Sequence, residues 1–214
     1  NNFALINEKF IGIFKRKKYL SKLISVKFKE YKQIKSKINN KYLNSSMNDE
    51  NMCFVYTLAK LLKINEKSFV KSMSSFLGLP HRYEIFLRKK NITFINDSKA
   101  TSFQATKSAL ASRKNIYWIL GGLPKDNDKI DLKNVHKNII KSYIIGKNIN
   151  FFKKQLKNKI EFIVSKNLED AIIRSLKDSR LLKKRNKTIL LSPSAASFDQ
   201  FKNFENRGDE FKKL

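Results

Sequence analysis

The chain has 214 residues, 41% of them hydrophobic and only three of them proline, so it can bury a sizeable core and is not a disordered tail. Lysine and arginine number 46 against 18 aspartate and glutamate, a formal net charge of +28. The single cysteine, Cys53, excludes a disulfide framework and a cysteine-based zinc cluster, and no apolar run approaches the roughly 20 residues that span a bilayer.

These limits point to a folded protein of a reducing, cytoplasmic setting. Cys53 lies in the apolar run Met52-Cys53-Phe54-Val55 and reads as a buried structural thiol. The chain opens on Asn1 with no charged-then-apolar leader, so it reads as a fragment or an internal start. A field of +28 attracts polyanions, which by itself favours a basic nucleic-acid-binding module. The lysines, however, are spread along the whole chain without a basic stripe interleaved with exposed aromatics. The charge therefore reads as solvating surface, with no nucleic acid or membrane as partner.

In chain order, Phe3-Ala4-Leu5-Ile6, Ile11-Gly12-Ile13-Phe14 and Leu23-Ile24-Ser25-Val26 are brief apolar or alternating runs, expected as strands joined by lysine-rich turns. Asn51 to Leu62 sets Val55, Leu58, Ala59 and Leu62 at helical spacing, which predicts that this face is buried. Asn65 is the expected N-cap of a second helix through Phe69, Met73 and Phe76, stopped by Gly78 and Pro80. Beyond Pro80 the texture becomes a regular alternation of strand and helix. Strands are expected at Ile92–Ile95, Ile116–Leu120, Tyr143–Ile145, Glu161–Val164 and Thr188–Leu191, with helices around 102–112 and along Leu168, Ala171, Ile172 and Leu176. Such alternation implies parallel pairing and a doubly wound sheet, with a domain boundary at the Gly78–Pro80 break.

Ligands of a parallel α/β sheet bind beyond the carboxyl ends of its strands. Three polar clusters fall there: Asn96-Asp97-Ser98-Lys99-Ala100-Thr101, Gly121-Gly122-Leu123-Pro124-Lys125, and Ser192-Pro193-Ser194-Ala195-Ala196-Ser197-Phe198-Asp199-Gln200-Phe201. Each alone could be a helix cap or a turn. Together they make one edge of the sheet a candidate anion and nucleotide site.

These clusters resemble the C-terminal domain of the Mur ligases, and within that family the branch that adds D-glutamate. The most specific piece is the run from Leu191 through Ser197-Phe198-Asp199-Gln200-Phe201-Lys202-Asn203-Phe204-Glu205-Asn206-Arg207 to Gly208. Leu79-Pro80-His81-Arg82-Tyr83-Glu84 resembles the family's domain junction, and the similarity extends over 47–214, faintly before that. The resemblance implies an α/β chain: a Rossmann-like, mostly parallel domain over 79–214, preceded over 1–78 by the end of an α/β ATPase domain. It implies ATP-dependent addition of D-glutamate to UDP-N-acetylmuramoyl-L-alanine through an acyl phosphate, by a monomer that also needs Mg2+. No G-x-x-x-x-G-K-[ST] phosphate loop occurs in the sequence, so that loop and the magnesium ligands are expected upstream, and the chain is not expected to catalyse alone.

Residue by residue, the resemblance places Asn48 and Asn51 at adenine, Arg82 at the nucleotide and Asp97 at the ribose hydroxyls. It places Lys99 at phosphate or the charged intermediate, and Thr101, Lys125, Ser197 and Phe204 in the D-glutamate pocket, Phe198 contributing backbone. An amide suits a base edge, a planar fork suits phosphate, and a dicarboxylate needs cations or hydroxyl and N–H donors at both ends. The chain departs from the family at Met47, where a histidine is usual, at Ser102, in place of an asparagine, and at Ser194, in place of a cysteine. His81 is expected to be structural and His136 an ordinary surface residue. A ligase of the same superfamily adding a different amino acid to a muropeptide or to folate is the rival, against which the Ser197–Gly208 segment argues.

Overall fold

In the computed structural model, residues 2–16, 21–40, 42–44, 48–183 and 186–213 are described; Met47 lies outside them. The chain divides into two compact units, Asn1–Gly78 and Leu79–Leu214.

In the first unit β1 (Phe3–Asn7) and β2 (Lys22–Val26) pair in parallel, Phe3 opposite Lys22 and Asn7 opposite Val26. Parallel neighbours need a crossover rather than a hairpin. Accordingly the Ile11–Phe14 run, expected as a strand, is helical: it forms α1 (Ile11–Lys15). A four-residue apolar run carries no period long enough to separate the two states. A further helix, α2 (Phe28–Lys35), follows β2 and buries Tyr31 and Ile34.

Helix α3 (Asp49–Leu61) turns Met52, Cys53, Thr57 and Ala59 inward. The expected face is not the buried one: Val55, Leu58 and Leu62 are exposed, and only Ala59 of that set is in the core. The helix is apolar on two sides, and the position of Tyr31, Ile34 and Val26 decides which side is covered. Burial pushes the Cys53 thiol up to about 11, helped by Asp49, Glu50 and Glu8, so it is inert in the sense expected. Asn65 caps α4 (Glu66–Ser75), its Oδ1 accepting from the Ser68 amide at 2.8 Å. The helix ends before Gly78 is reached, because Phe76 already takes an extended conformation.

The second unit is a six-stranded sheet. Its spatial order is β3 (Glu84–Lys89), β4 (Ile92–Asn96), β8 (Lys187–Leu191), β5 (Ile116–Gly121), β6 (Ile139–Ile145) and β7 (Phe162–Val164). All neighbours are parallel except β3, which folds back antiparallel on β4 as an edge hairpin that the alternating pattern of the sequence did not announce. Along β5, Trp118 and Leu120 face one core while Tyr117 and Ile119 face the other, as the period of two requires. Phe103 and Leu110 of α5 (Phe103–Ala111), with Phe152 of α6 (Ile149–Leu156), cover the first face. Ala171 and Ile172 of α7 (Leu168–Leu181), with Phe211 of α8 (Phe204–Lys213), cover the second. The chain passes from β4 to β5, runs outward through β6 and β7, and returns to seat β8 between β4 and β5. That reversal is a topological switch point.

The corrected face of α3 is testable by urea unfolding of the chain. Met52→Ala is expected to cost about 2–5 kcal/mol as a buried truncation. Leu62→Ala, on the exposed side, is expected to stay within about 0.5 kcal/mol.

Candidate functional site

Because β8 lies between β4 and β5, the loops that leave their carboxyl ends are neighbours, and backbone bonds knit them together. The Asp97 amide donates to Leu191 O at 2.8 Å, Ser194 N to Ala100 O at 2.9 Å, and Gly121 N to Pro193 O at 2.9 Å. Leu123 and Ala196 exchange N–H···O bonds of 2.8 and 2.9 Å. Gly122, at φ +130, is required here: a Cβ at that position would collide with the Ala196 carbonyl. Thr101, Lys125 and Ser197 therefore belong to three bonded, adjacent loops at one edge of the sheet.

Asp97 is the electrostatic centre of this edge. It is 5% exposed, accepts from the Tyr83 amide at 3.1 Å and accepts from the Ser192 hydroxyl at 2.7 Å. The Ser192 and Ser194 hydroxyls also lie 3.0 and 2.9 Å from Thr106 Oγ1, and Trp118 Nε1 donates to Ser192 O at 2.8 Å. Burial pushes the Asp97 carboxyl up to about 7, against the opposing pull of the Ser192 hydroxyl, the Tyr83 amide and the Arg82 charge.

Arg82 is exposed, between two residues in the left-handed region, His81 at φ 61 and Tyr83 at φ 49. Bulky residues hold that conformation only where the surroundings enforce it. Here the His81 amide donates to Glu84 Oε2 at 2.9 Å and its carbonyl accepts from the Lys99 amide at 2.9 Å. The His81 ring is buried, with Nδ1 3.0 Å from Asn96 Nδ2, and Gly208 packs so closely that a Cβ there would collide with it. His136 is exposed in a 3-10 turn, His136–Asn138.

The remaining residues differ in setting. Lys99 is exposed, with Nζ 4.0 Å from the centroid of the Phe204 ring. Thr101 is half-buried just before α5, Lys125 is exposed, and Ser197 is 2% exposed. The Phe198 ring points to solvent at 69% exposure, while Phe204 is half-buried at the first position of α8. In the first unit, Asn48 is buried and donates to Tyr42 O at 2.8 Å, whereas Asn51 is exposed on α3.

Arg207 carries no role in the sequence reading, yet it is fully buried and braces two of the three loops. Its Nε donates to Ser98 Oγ at 3.0 Å and its Nη2 to the carbonyls of Ser98 and Ala195 at 2.9 and 3.1 Å. Burial lowers its guanidinium to about 10, with Asp199 pulling the other way. The available signal was its spacing from Phe211, which puts both on the inward face of α8. Among the described residues, no group of three or more His, Cys, Asp or Glu is placed to hold a metal ion, and no helix is long and apolar enough to cross a membrane.

No family model matches the sequence. Among individual proteins, the chain is 40% identical over 175 residues to a UDP-N-acetylmuramoylalanine--D-glutamate ligase of Rickettsia felis, covering 82% of this chain and 39% of that protein. A protein of the same name from Wolbachia sp. subsp. Brugia malayi is 38% identical over 189 residues, covering 85% and 38% respectively. One from Roseobacter denitrificans is 36% identical over 164 residues, covering 77% and 34%. The chain thus spans less than two fifths of the length of these curated relatives. Among solved structures, MurF from Acinetobacter baumannii superposes with a TM-score of 0.53 at 12% identity, over 78% of this chain and 37% of that one. The bifunctional folylpolyglutamate synthase/dihydrofolate synthase of Yersinia pestis gives 0.52 at 12% identity, over 80% and 39%. At that identity these structures share the fold.

The raised Asp97 carboxyl has a signed consequence. Between its ordinary value of 3.8 and about 7 the folded chain keeps a proton that the unfolded chain has released, so this stabilising contribution is complete at low pH and lost as pH rises through about 7. Wild type is expected to lose stability relative to Asp97→Asn as pH rises from about 4 to about 8. Urea midpoints of the two proteins across that range, differing by a constant amount, would contradict the assignment.

Proposed function

We propose that the chain is part of a Mur ligase and forms the amino-acid-binding part of a ligase that adds D-glutamate to UDP-N-acetylmuramoyl-L-alanine. The observation that carries this reading is the 40% identity to a ligase named for D-glutamate, over a chain whose three bonded strand-end loops offer Thr101, Lys125 and Ser197. Residues 79–214 are assigned as the C-terminal domain of such a ligase and 1–78 as the end of its central domain.

ATP supplies the phosphoryl group that activates the precursor's carboxylate, and the donor set of the second unit suits a nucleotide. In this reading the Asp97 carboxylate accepts from ribose hydroxyls, the exposed Arg82 fork meets phosphate, and the Lys99 ammonium stabilises charge on the activated carboxylate. Asn48 and Asn51 are assigned to adenine. Lys125, Thr101 and Ser197, with the Phe204 ring and the Phe198 backbone, hold D-glutamate so that its amine is aimed at the activated carbon. The phosphate loop and the Mg2+ ligands are assigned to the portion of the relatives that this chain does not span. A cytoplasmic, monomeric enzyme acting on small molecules completes the proposal.

A full-length ligase carrying this chain provides the test. Lys125→Ala removes a charge-assisted bond worth about 1.5–3 kcal/mol and is expected to raise the KM for D-glutamate roughly 10- to 150-fold while leaving that for ATP unchanged. Asp97→Ala is expected to show the opposite pattern. An enzyme in which Lys125→Ala raises the KM for ATP alone would overturn the pocket assignment.

A further inference from the structure

We propose that Phe204 is a positioning residue for Lys99: its ring holds the lysine ammonium in place, unneutralised, for an incoming phosphoryl anion. The identity of that anion rests on the ligase reading above; the positioning itself rests on the geometry of the second unit.

The Lys99 side chain is exposed, but its backbone is pinned, the amide donating to His81 O at 2.9 Å. Its ammonium lies 4.0 Å from the Phe204 ring centroid, well inside the roughly 6 Å over which a cation is drawn to an aromatic face. Among the described residues no carboxylate is ion-paired with Lys99. Two acids near His81 are engaged elsewhere: Lys212 meets Glu84 and Asp209, and Asp209 also lies 3.7 Å from His81 Nε2.

Phe204 is itself held, at its backbone and at its ring. Phe204 O accepts from the Ser98 hydroxyl at 2.8 Å, and that hydroxyl in turn accepts from Arg207 Nε at 3.0 Å. The His81 ring stands edge-on to Phe204, centroids 6.2 Å apart at 78°. Gly208 packs against His81 so closely that a Cβ there would collide with its Nδ1.

The choice of an aromatic partner has a physical consequence. A carboxylate at this distance would position the ammonium as well, but it would cancel the charge and compete with the ligand. A π face attracts through its quadrupole and leaves the full positive charge for the anion. One side chain then serves both the amino-acid pocket and the phosphate-facing lysine.

The test uses the 214-residue chain with Phe204 replaced by mono-, di- and trifluorophenylalanine, and by Trp and Leu. The first readout is the ring-current shift of the Lys99 ε-methylene protons in 13C-labelled protein, assigned by its loss in Lys99→Arg. The second is the affinity for inorganic pyrophosphate read at the same resonance. An upfield shift is expected in wild type and in Phe204→Trp, and is expected to vanish in Phe204→Leu. Fluorination drains the π face while nearly preserving ring size, so packing stays constant, and pyrophosphate affinity is expected to fall stepwise by about two- to fivefold in all. A flat fluorine series, a Lys99 signal that ignores the ring, or one that ignores pyrophosphate would each overturn the proposal. None of these readouts needs turnover. A full-length enzyme that fails to use D-glutamate would therefore sink the ligase reading while leaving this result standing.

Discussion

Everything in the second unit depends on β8 pairing in parallel with both β4 and β5. That insertion brings the Ser192–Gln200 loop between the loops that follow Asn96 and Gly121. It also makes β8 a strand buried on both faces, which is why Lys187–Leu191 is buried throughout. Remove the insertion and the serines, Asp97 and the glycine pair have no common surface. The glycines are part of the same constraint, since only residues without a Cβ let the β5 loop approach the β8 loop and the end of β6 so closely.

Such close packing forces polar groups out of water, and many of them bond to one another, although Asp199 Oδ1, Gln200 Nε2 and Arg207 Nη1 are buried without a partner. Ser192, Ser194, Thr106 and Asp97 form one hydroxyl–carboxyl network, and Trp118 ties it to the core from below. A buried network of this kind is costly when incomplete and rigid when complete. Arg207 is a fully buried guanidinium whose Nε and Nη2 donate to a hydroxyl and two carbonyls, while its buried Nη1 makes no bond, and these contacts lock the start of α8 to the β4 loop. The left-handed conformations of His81 and Tyr83 belong to this framework too. Their amides donate to Glu84 and Asp97, which offsets the local strain and aims Arg82 outward.

The large positive charge lies outside this framework. The ion pairs that engage it, such as Lys37–Glu66 and Lys107–Asp131, are exposed and of the kind that contributes little to stability. Two cations at the strand-end loops are set apart by their partners: Arg207 by burial among carbonyls, Lys99 by an aromatic face.

The sequence by itself determined the elements whose signal is local. Ile92–Ile95, Ile116–Leu120 and Thr188–Leu191 are short, largely apolar runs set in a regular alternation with helical segments, and each became a strand. Asn65 capped the helix it precedes, because a cap is a bond across three residues. The placing of polar clusters after buried strands followed from the same pattern. Tertiary structure decided what rests on distant pairing: that Ile11–Phe14 is a crossover helix, that α3 buries Met52 rather than Leu62, and that β3 adds an antiparallel edge. It also decided that β8, last of the strands in sequence, is central in space, and that Arg207 braces loops about a hundred residues upstream as well as its near neighbour Ala195. Periodicity reports which side of an element is apolar, but only the partner that covers it selects among equivalent sides, and that partner lies far along the chain.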